Sequence, residues 1–339
     1  MKPGPNREVA YRLAGSMGYA FRLIESPTGE KQERPLDAGE NPPNGVTVHY
    51  WLKEALAGDI TLTFLDAGGR DIRSFTSRRR DAARQDATTD TSPGAGGGEE
   101  PRQEQDASVG APDDEPRLTK NTGANRFVWN LRAPDATRLP DNKGRGGTAE
   151  MLAGPRMPPG SYQARLTVGG RTLTQPFVIV RDPRVQATDE DLREQFAWAK
   201  KAHDLLNRVH AAVLTLRDVR AQAEAWGGRV ESTAVKEAAR ALARTLTSIE
   251  EELIQVRSDN PRMFPAKLNT RVATLMPLVE YSDSAPTQAL RELIDSLALR
   301  AGMELAKLDQ CLAGDVAAFN AICRDASVPA IVPKPRGNA

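Results

Sequence analysis

The chain has 339 residues, enough for two modest domains with cores of their own, and 39% hydrophobic with 27% charged residues is ordinary globular composition. Its 46 Lys and Arg nearly cancel 45 Asp and Glu, so no global field of one sign draws in nucleic acid or an anionic membrane surface. Aromatic residues make up only 5%, a thin supply for a base-stacking surface, and no apolar run approaches the ~20 residues of a membrane span.

In chain order, residues 1–44 read as a leader or linker with one short apolar stretch, Tyr19-Ala20-Phe21-Arg22-Leu23-Ile24, expected as an edge strand or a connector. Met1-Lys2-Pro3-Gly4-Pro5-Asn6-Arg7 has no apolar h-region, so the chain as written is expected to stay in the cytoplasm. As a fragment of an exported parent it would be periplasmic. From Gly45 to Val180 apolar residues alternate with period two between Gly and Pro turns, the mark of half-buried strands. The spacing predicts strands over 46–52, 60–65, 71–75, 125–131, 161–168 and 171–180. Asp66-Ala67-Gly68-Gly69 and Gly169-Gly170 supply the hairpin turns. Residues 77–122 contain Arg78-Arg79-Arg80 and Gly94-Ala95-Gly96-Gly97-Gly98 with almost nothing apolar, and are expected to be a disordered insertion. Pro134 to Pro155 is expected to be a second polar loop of the β domain. Its Gly144, Gly146 and Gly147 lie near Lys143 and Arg145, but P-loop spacing is absent.

At Arg181-Asp182-Pro183-Arg184 the pattern changes, and from Thr188 to Ala326 apolar residues recur every three or four positions. Thr188 with Asp189-Glu190-Asp191 caps a long helix expected to end at Gly227-Gly228. Ser232 or Thr233 caps a second helix. Leu268, Val272, Leu275 and Val279 mark a shorter one, Pro286 opens another, and Gly314-Asp315 starts the last. Strands first and helices second imply an α+β chain: a β-sandwich at 45–181, an antiparallel helical bundle at 186–326, and a disordered tail at 327–339.

The residues that bear chemistry are scattered. His49 lies in a strand, and His203 and His210 lie two helical turns apart, about 10 Å along the axis and too far to share a metal. Glu250-Glu251-Glu252 is a run whose side chains point around a helix rather than converging. Ser161 and Ser282 have no base nearby in sequence. Cys311 and Cys323 match no zinc spacing and read as two buried thiols, with a disulfide across a helical hairpin as the alternative. HExxH, GxSxG and CxxC motifs and a Walker loop are all missing. The reading therefore assigns no catalytic, cofactor-binding or metal residues.

Several separated segments resemble one known family, in order along the chain. They are Gly39-Glu40-Asn41-Pro42-Pro43-Asn44-Gly45-Val46, Leu65-Asp66-Ala67-Gly68-Gly69, Asn125-Arg126-Phe127-Val128-Trp129-Asn130-Leu131-Arg132, and Pro158-Pro159-Gly160-Ser161-Tyr162 with Thr174-Gln175-Pro176. In the helical half, Lys267-Leu268-Asn269, Ala285-Pro286-Thr287 and Ala317-Ala318-Phe319-Asn320 continue the match. These segments resemble the C-terminal region of bacterial sortilin-like proteins, often labelled glycosyl hydrolases, which carry an Asp-box β-propeller ahead of this region. The resemblance covers most of residues 39–331 and implies an immunoglobulin-like sandwich joined to a helical bundle. No Asp-box of the Ser-x-Asp-x-Gly-x-Thr-Trp kind occurs here. The expected function is thus a non-catalytic accessory module that packs against a β-propeller or another protein, including a membrane-associated or exported one. One alternative is part of a glycosyl hydrolase acting on glycans. The other is a carbohydrate-binding module with Trp51 or Trp129 as its stacking platform.

Overall fold

The computed structural model describes the strands at 9–12, 21–25 and 31–35, and residues 43–54, 56–78, 115–140, 147–257 and 264–334. Most of the leader, the core of the 77–122 insertion, Lys143 with Gly144, Arg145 and Gly146, the Asn260-Pro261 break and the tail beyond 334 lie outside these described residues. The chain is α+β, with antiparallel sheets first and a helical region at its C-terminal end. It divides into two compact units. Up to Leu131 the described chain belongs to the first unit, which Pro158–Asp189 rejoins; Arg132–Met157 and all described residues from Glu190 onward form the second.

In the first unit, β1 (Val9–Arg12), β2 (Phe21–Glu25) and β3 (Lys31–Pro35) precede β4 (Val46–Leu52), β5 (Ile60–Leu65), β6 (Asp71–Thr76), β7 (Gly123–Trp129), β8 (Gly160–Val168) and β9 (Arg171–Arg181). One sheet runs β1-β9-β8-β5-β6, antiparallel except that β1 lies parallel to β9. A second pairs β4 with β7, and a third pairs β2 with β3, so the apolar stretch near Phe21 is one arm of a hairpin. Alternation dictates which side chains go inward. Val46, Tyr50 and Leu52 of β4 and Phe127 and Trp129 of β7 are buried, while His49, Trp51 and Arg126 face out.

Rings bind the larger sheet to the β4-β7 pair. Phe64 of β5 stacks on Trp129 of β7 with centroids 4.2 Å apart, and meets Phe75 and Phe177 edge-on at 6.1 and 6.2 Å. Phe75 lies 4.7 Å from Phe127. Each ring hides about 150–250 Å² of surface, so five of them close a small core that short strands could not otherwise fill. Residues 115–120, expected as part of the disordered insertion, are ordered here. Leu118 is buried, its N–H donates to the Thr76 carbonyl at 3.3 Å, and the Tyr50 hydroxyl donates to the Thr119 carbonyl. At the change of pattern, the buried Asp182 carboxylate accepts bonds from the Arg184 backbone N–H at 2.9 Å and from its guanidinium at 2.6 Å. The turn is thereby closed on itself.

In the second unit, α1 (Ala149–Leu152) is followed by α2 (Asp189–Arg229), α3 (Thr233–Leu253), α4 (Leu268–Ala273), α5 (Leu275–Val279), α6 (Gln288–Ala313) and α7 (Asp315–Asp325). The expected stripes form the core: Leu206, Val213, Leu216 and Val219 of α2, Leu242 and Leu246 of α3, Ile294 and Leu308 of α6, and Phe319 of α7. Ser232 caps α3 by accepting from the Val235 N–H, and Thr287 caps α6 by accepting from the Leu290 N–H. The expected single short helix near Leu268 is two, broken at Thr274.

Two expectations are corrected here. Gly227-Gly228 does not end α2, which runs on to Arg229. A Cβ on Gly227 would stand 3.0 Å from the Ala239 methyl, so the missing side chain admits α3 to close range rather than stopping the helix. The tail from 327 is not structureless over its described part, because Ile331 is buried in the bundle core.

Candidate functional site

The most elaborate polar arrangement among the described residues lies where Arg132–Met157 crosses the bundle. Expected as a loop of the β domain, this segment is a strap that puts Ala136, Leu139 and Leu152 into the helical core. Its two limbs run side by side. The Ala133 N–H donates to the Pro155 carbonyl at 3.0 Å, the Ala136 N–H to the Leu152 carbonyl at 2.7 Å, and the Gly154 N–H to the Asp135 carboxylate at 3.1 Å. A Cβ on Gly154 would fall 2.1 Å from the Ala133 carbonyl oxygen, so only glycine lets the limbs close.

A polar stripe on α2 grips the strap. Asn207 accepts the Thr137 N–H at 2.9 Å, and His210 donates from Nδ1 to the Thr137 carbonyl at 2.5 Å. Arg217, two turns further, donates to the Pro140 carbonyl at 2.9 Å. His203 starts the stripe, with Nδ1 3.3 Å from the Asn207 amide nitrogen and 3.9 Å from Asp204. Positions 203, 207, 210 and 217 lie on one side of a 3.6-residue helix, bordering the apolar stripe. A carbonyl only accepts, so the His210 proton sits on Nδ1, and its buried Nε2 has no partner. Burial lowers the pKa of both histidines. At His203 the charge of Asp204 opposes that shift and Lys200 reinforces it; at His210 the bond to Thr137 opposes it. Burial thus favours the neutral imidazole at both positions.

Two buried carboxylates are tied down by arginines. Glu280 accepts from Arg132 Nη1 and from the Arg156 backbone N–H, each at 2.7 Å, and Arg132 also reaches the Gly154 carbonyl at 2.8 Å. Arg156 is lowered from its ordinary value by burial first and by the Arg132 charge second, with Glu280 and Asp283 opposing. Glu250 accepts from Arg217 at 2.6 Å and Arg220 at 2.5 Å. A carboxylate whose two oxygens are each held by such a donor is placed as a structural anchor between the segments that supply the donors. Glu251 turns instead to Arg257 and Glu252 to Lys267, the divergence expected of consecutive helical residues.

The remaining sequence candidates do not converge. The Ser282 hydroxyl lies 2.8 Å from that of Ser284, and Ser161 is exposed on β8 opposite Val178. Cys311 and Cys323 are buried free thiols, raised by burial, Cys311 to about 12 with Asp315 adding to the effect. Among the described residues no cluster of three or more His, Cys, Asp and Glu side chains could hold a metal ion, and no helix is long and apolar enough to cross a membrane. Trp129 is fully buried, whereas Trp51 is 73% exposed, on the outward face of the β4-β7 pair with His49 and Arg126.

Large apolar side chains are also left outward on α6. Leu299 and Met303, one turn apart, are 71% and 59% exposed, opposite the buried Ile294, Leu297, Ala301, Leu305 and Leu308. Sequence reading missed the strap and the stripe that grips it. The one signal was polar residues at helical spacing beside an apolar seam. No protein-family model, curated protein or solved structure matches this chain.

Proposed function

We propose that the chain is a non-catalytic interaction module, of the kind found at the C-terminal end of sortilin-like proteins, that docks on a β-propeller or another protein partner. The observation that carries this reading is the outward apolar face of α6, where Leu299 and Met303 lie opposite the helix's own core side. Large apolar side chains grouped on one exposed helix face are the kind of surface a protein partner covers. The buried carboxylates support it as well, since Glu250 and Glu280 are consumed in anchoring helices and strap.

For the first unit we infer an immunoglobulin-like sandwich. Reading β4 as strand B, β5 as C, β6 as C′, β7 as E, β8 as F and β9 as G puts B beside E on one sheet and G-F-C-C′ in order on the other. Tyr162, near the start of β8, donates its hydroxyl to the Pro158 carbonyl at 2.7 Å, the bond of a tyrosine corner. Burial and then Asp66 push its pKa up to about 12, which keeps that donor protonated.

A panel of aryl glycosides and oligosaccharides, assayed at high protein concentration, tests the main reading. No turnover is expected. Hydrolysis that disappears in one Asp or Glu variant would establish the glycosidase alternative, whose acids must face each other about 5–9.5 Å apart. In the positive arm, Leu299→Asp with Met303→Asp is expected to abolish co-purification with a co-expressed propeller while leaving the helical melt in place. The exposed Trp51 favours one second reading, a glycan-stacking platform, and Trp51→Ala in glycan-array binding tests it directly.

A further inference from the structure

The last described segment leaves α7 through a tight reversal. Ser327 adopts φ 57°. Its N–H donates to the Arg324 carbonyl at 3.0 Å and the Val328 N–H to the Cys323 carbonyl at 2.7 Å, the paired bonds of a Schellman end. From there the chain runs extended between α7 and α2, gripped by one side-chain amide on each side. Asn320 of α7 accepts the Ile331 N–H at 2.8 Å and donates to the Ile331 carbonyl at 3.0 Å. Gln222 of α2 does the same for Val332, at 3.1 Å in both directions. Successive residues of an extended chain turn their N–H and C=O groups to opposite sides, so two amides on opposite walls satisfy four backbone groups without any strand beside them. Gln222 is itself steadied by Asp218 at 2.8 Å, and the other oxygen of Asp218 pairs with Lys334 at 3.0 Å.

This is how a cleft recognises a peptide. Main-chain bonds hold any extended segment, and a pocket for one side chain supplies the selectivity. Here the anchor is Ile331, 2% exposed, while Val332 is 68% exposed and Pro329, Ala330 and Lys334 are also exposed. Besides these polar contacts, the described tail buries one side chain deeply and Val328 and Pro333 in part, a small apolar contribution against the entropy of ordering it. We propose that the cleft flanked by α2 and α7 is a binding site for an extended peptide with a branched aliphatic anchor, and that residues 328–334 occupy it in cis as an exchangeable stand-in. This goes beyond the docking reading, which concerns the outward face of α6, and either can fail without the other.

The test uses the full chain carrying Ile331→Asp, which weakens the resident tail, and a fluorescent peptide of sequence Ser-Val-Pro-Ala-Ile-Val-Pro-Lys read by anisotropy. The variant is expected to bind the peptide saturably, at least about tenfold tighter than the wild-type chain, whose own tail competes. Asn320→Ala added to the variant is expected to weaken binding about tenfold, and a peptide with Asp in place of Ile should not bind. Absence of saturable binding to a variant that melts like wild type overturns the site; equal affinity for the two chains overturns occupancy in cis. Hydrogen exchange on the wild-type chain gives a second readout that no substitution can confound. The Ile331 and Val332 amides should exchange well before those of Leu206 and Phe319, and equal protection would overturn the proposal.

Discussion

Phe64, Phe75, Phe127, Trp129 and Phe177 fill the space between two sheets with rings, whereas the helical unit places Glu250, Glu280, His203 and His210 beside long aliphatic stripes. The difference follows from shape. Short strands offer few inward positions, so each must carry a large side chain. A helix of 41 residues, about 60 Å long, offers many, and can give up one side to polar contacts with a crossing strap. Truncation damage should therefore be concentrated in the first unit and spread out in the second. Acid should act on the second.

The largest expected effect tests that contrast at the ring cluster. Trp129→Ala should destabilise the first unit by about 3–5 kcal/mol, seen as an earlier loss of near-ultraviolet dichroism in guanidinium while the helical signal at 222 nm keeps its midpoint. If both signals shift together, the two units do not unfold separately and the comparison fails. Next comes the strap anchor. Glu280→Gln replaces with an NH2 one of the two oxygens that accept from Arg132 and from the Arg156 N–H, and should destabilise the helical unit by about 2–3 kcal/mol, with little change in the near-ultraviolet transition. Gly154→Ala, which forces a methyl against the Ala133 carbonyl, should cost the same unit about 1–3 kcal/mol.

The smallest effect is the dependence on acid. An unfolded histidine takes up its proton near pH 6.5, while burial makes His203 and His210 take theirs only at lower pH in the fold. The unfolded chain therefore binds more protons below pH 6.5, so the stability from these groups is complete above that pH and is lost as pH falls toward the folded values. The melting temperature of the helical transition should drop from pH 7.5 to pH 5.5, and drop less in His210→Gln. An equal drop in the ring-packed unit would show that the histidines are not its source.

Much of the fold was legible in the residues. Strands expected at 46–52 and 60–65 have those bounds, the one expected at 125–131 spans 123–129, the cap expected at Ser232 or Thr233 is Ser232, and the last helix starts at the expected Gly314-Asp315. These signals are local: a period of two or 3.6, a hydroxyl before a stripe, a glycine pair in a turn. The strap was not legible, because Ala136, Leu139 and Leu152 are three apolar residues among Pro, Asp and Gly and show no period. The spacing of His203 and His210 places them two turns apart on one helix, too far to share a metal; that the strap's backbone is the partner of His210 depends on a contact across 73 positions of sequence.

What the sequence determined by itself was the order of strands and helices and which face of each turns inward, since both follow from neighbours a few residues away. Tertiary structure alone decided that Arg132–Met157 belongs with the helices, that Glu280 and Glu250 serve as anchors, and that the segment after α7 lies in a cleft between two amides. Each of those outcomes depends on satisfying buried backbone and charged groups with partners distant in the chain, and no local pattern specifies such a partner.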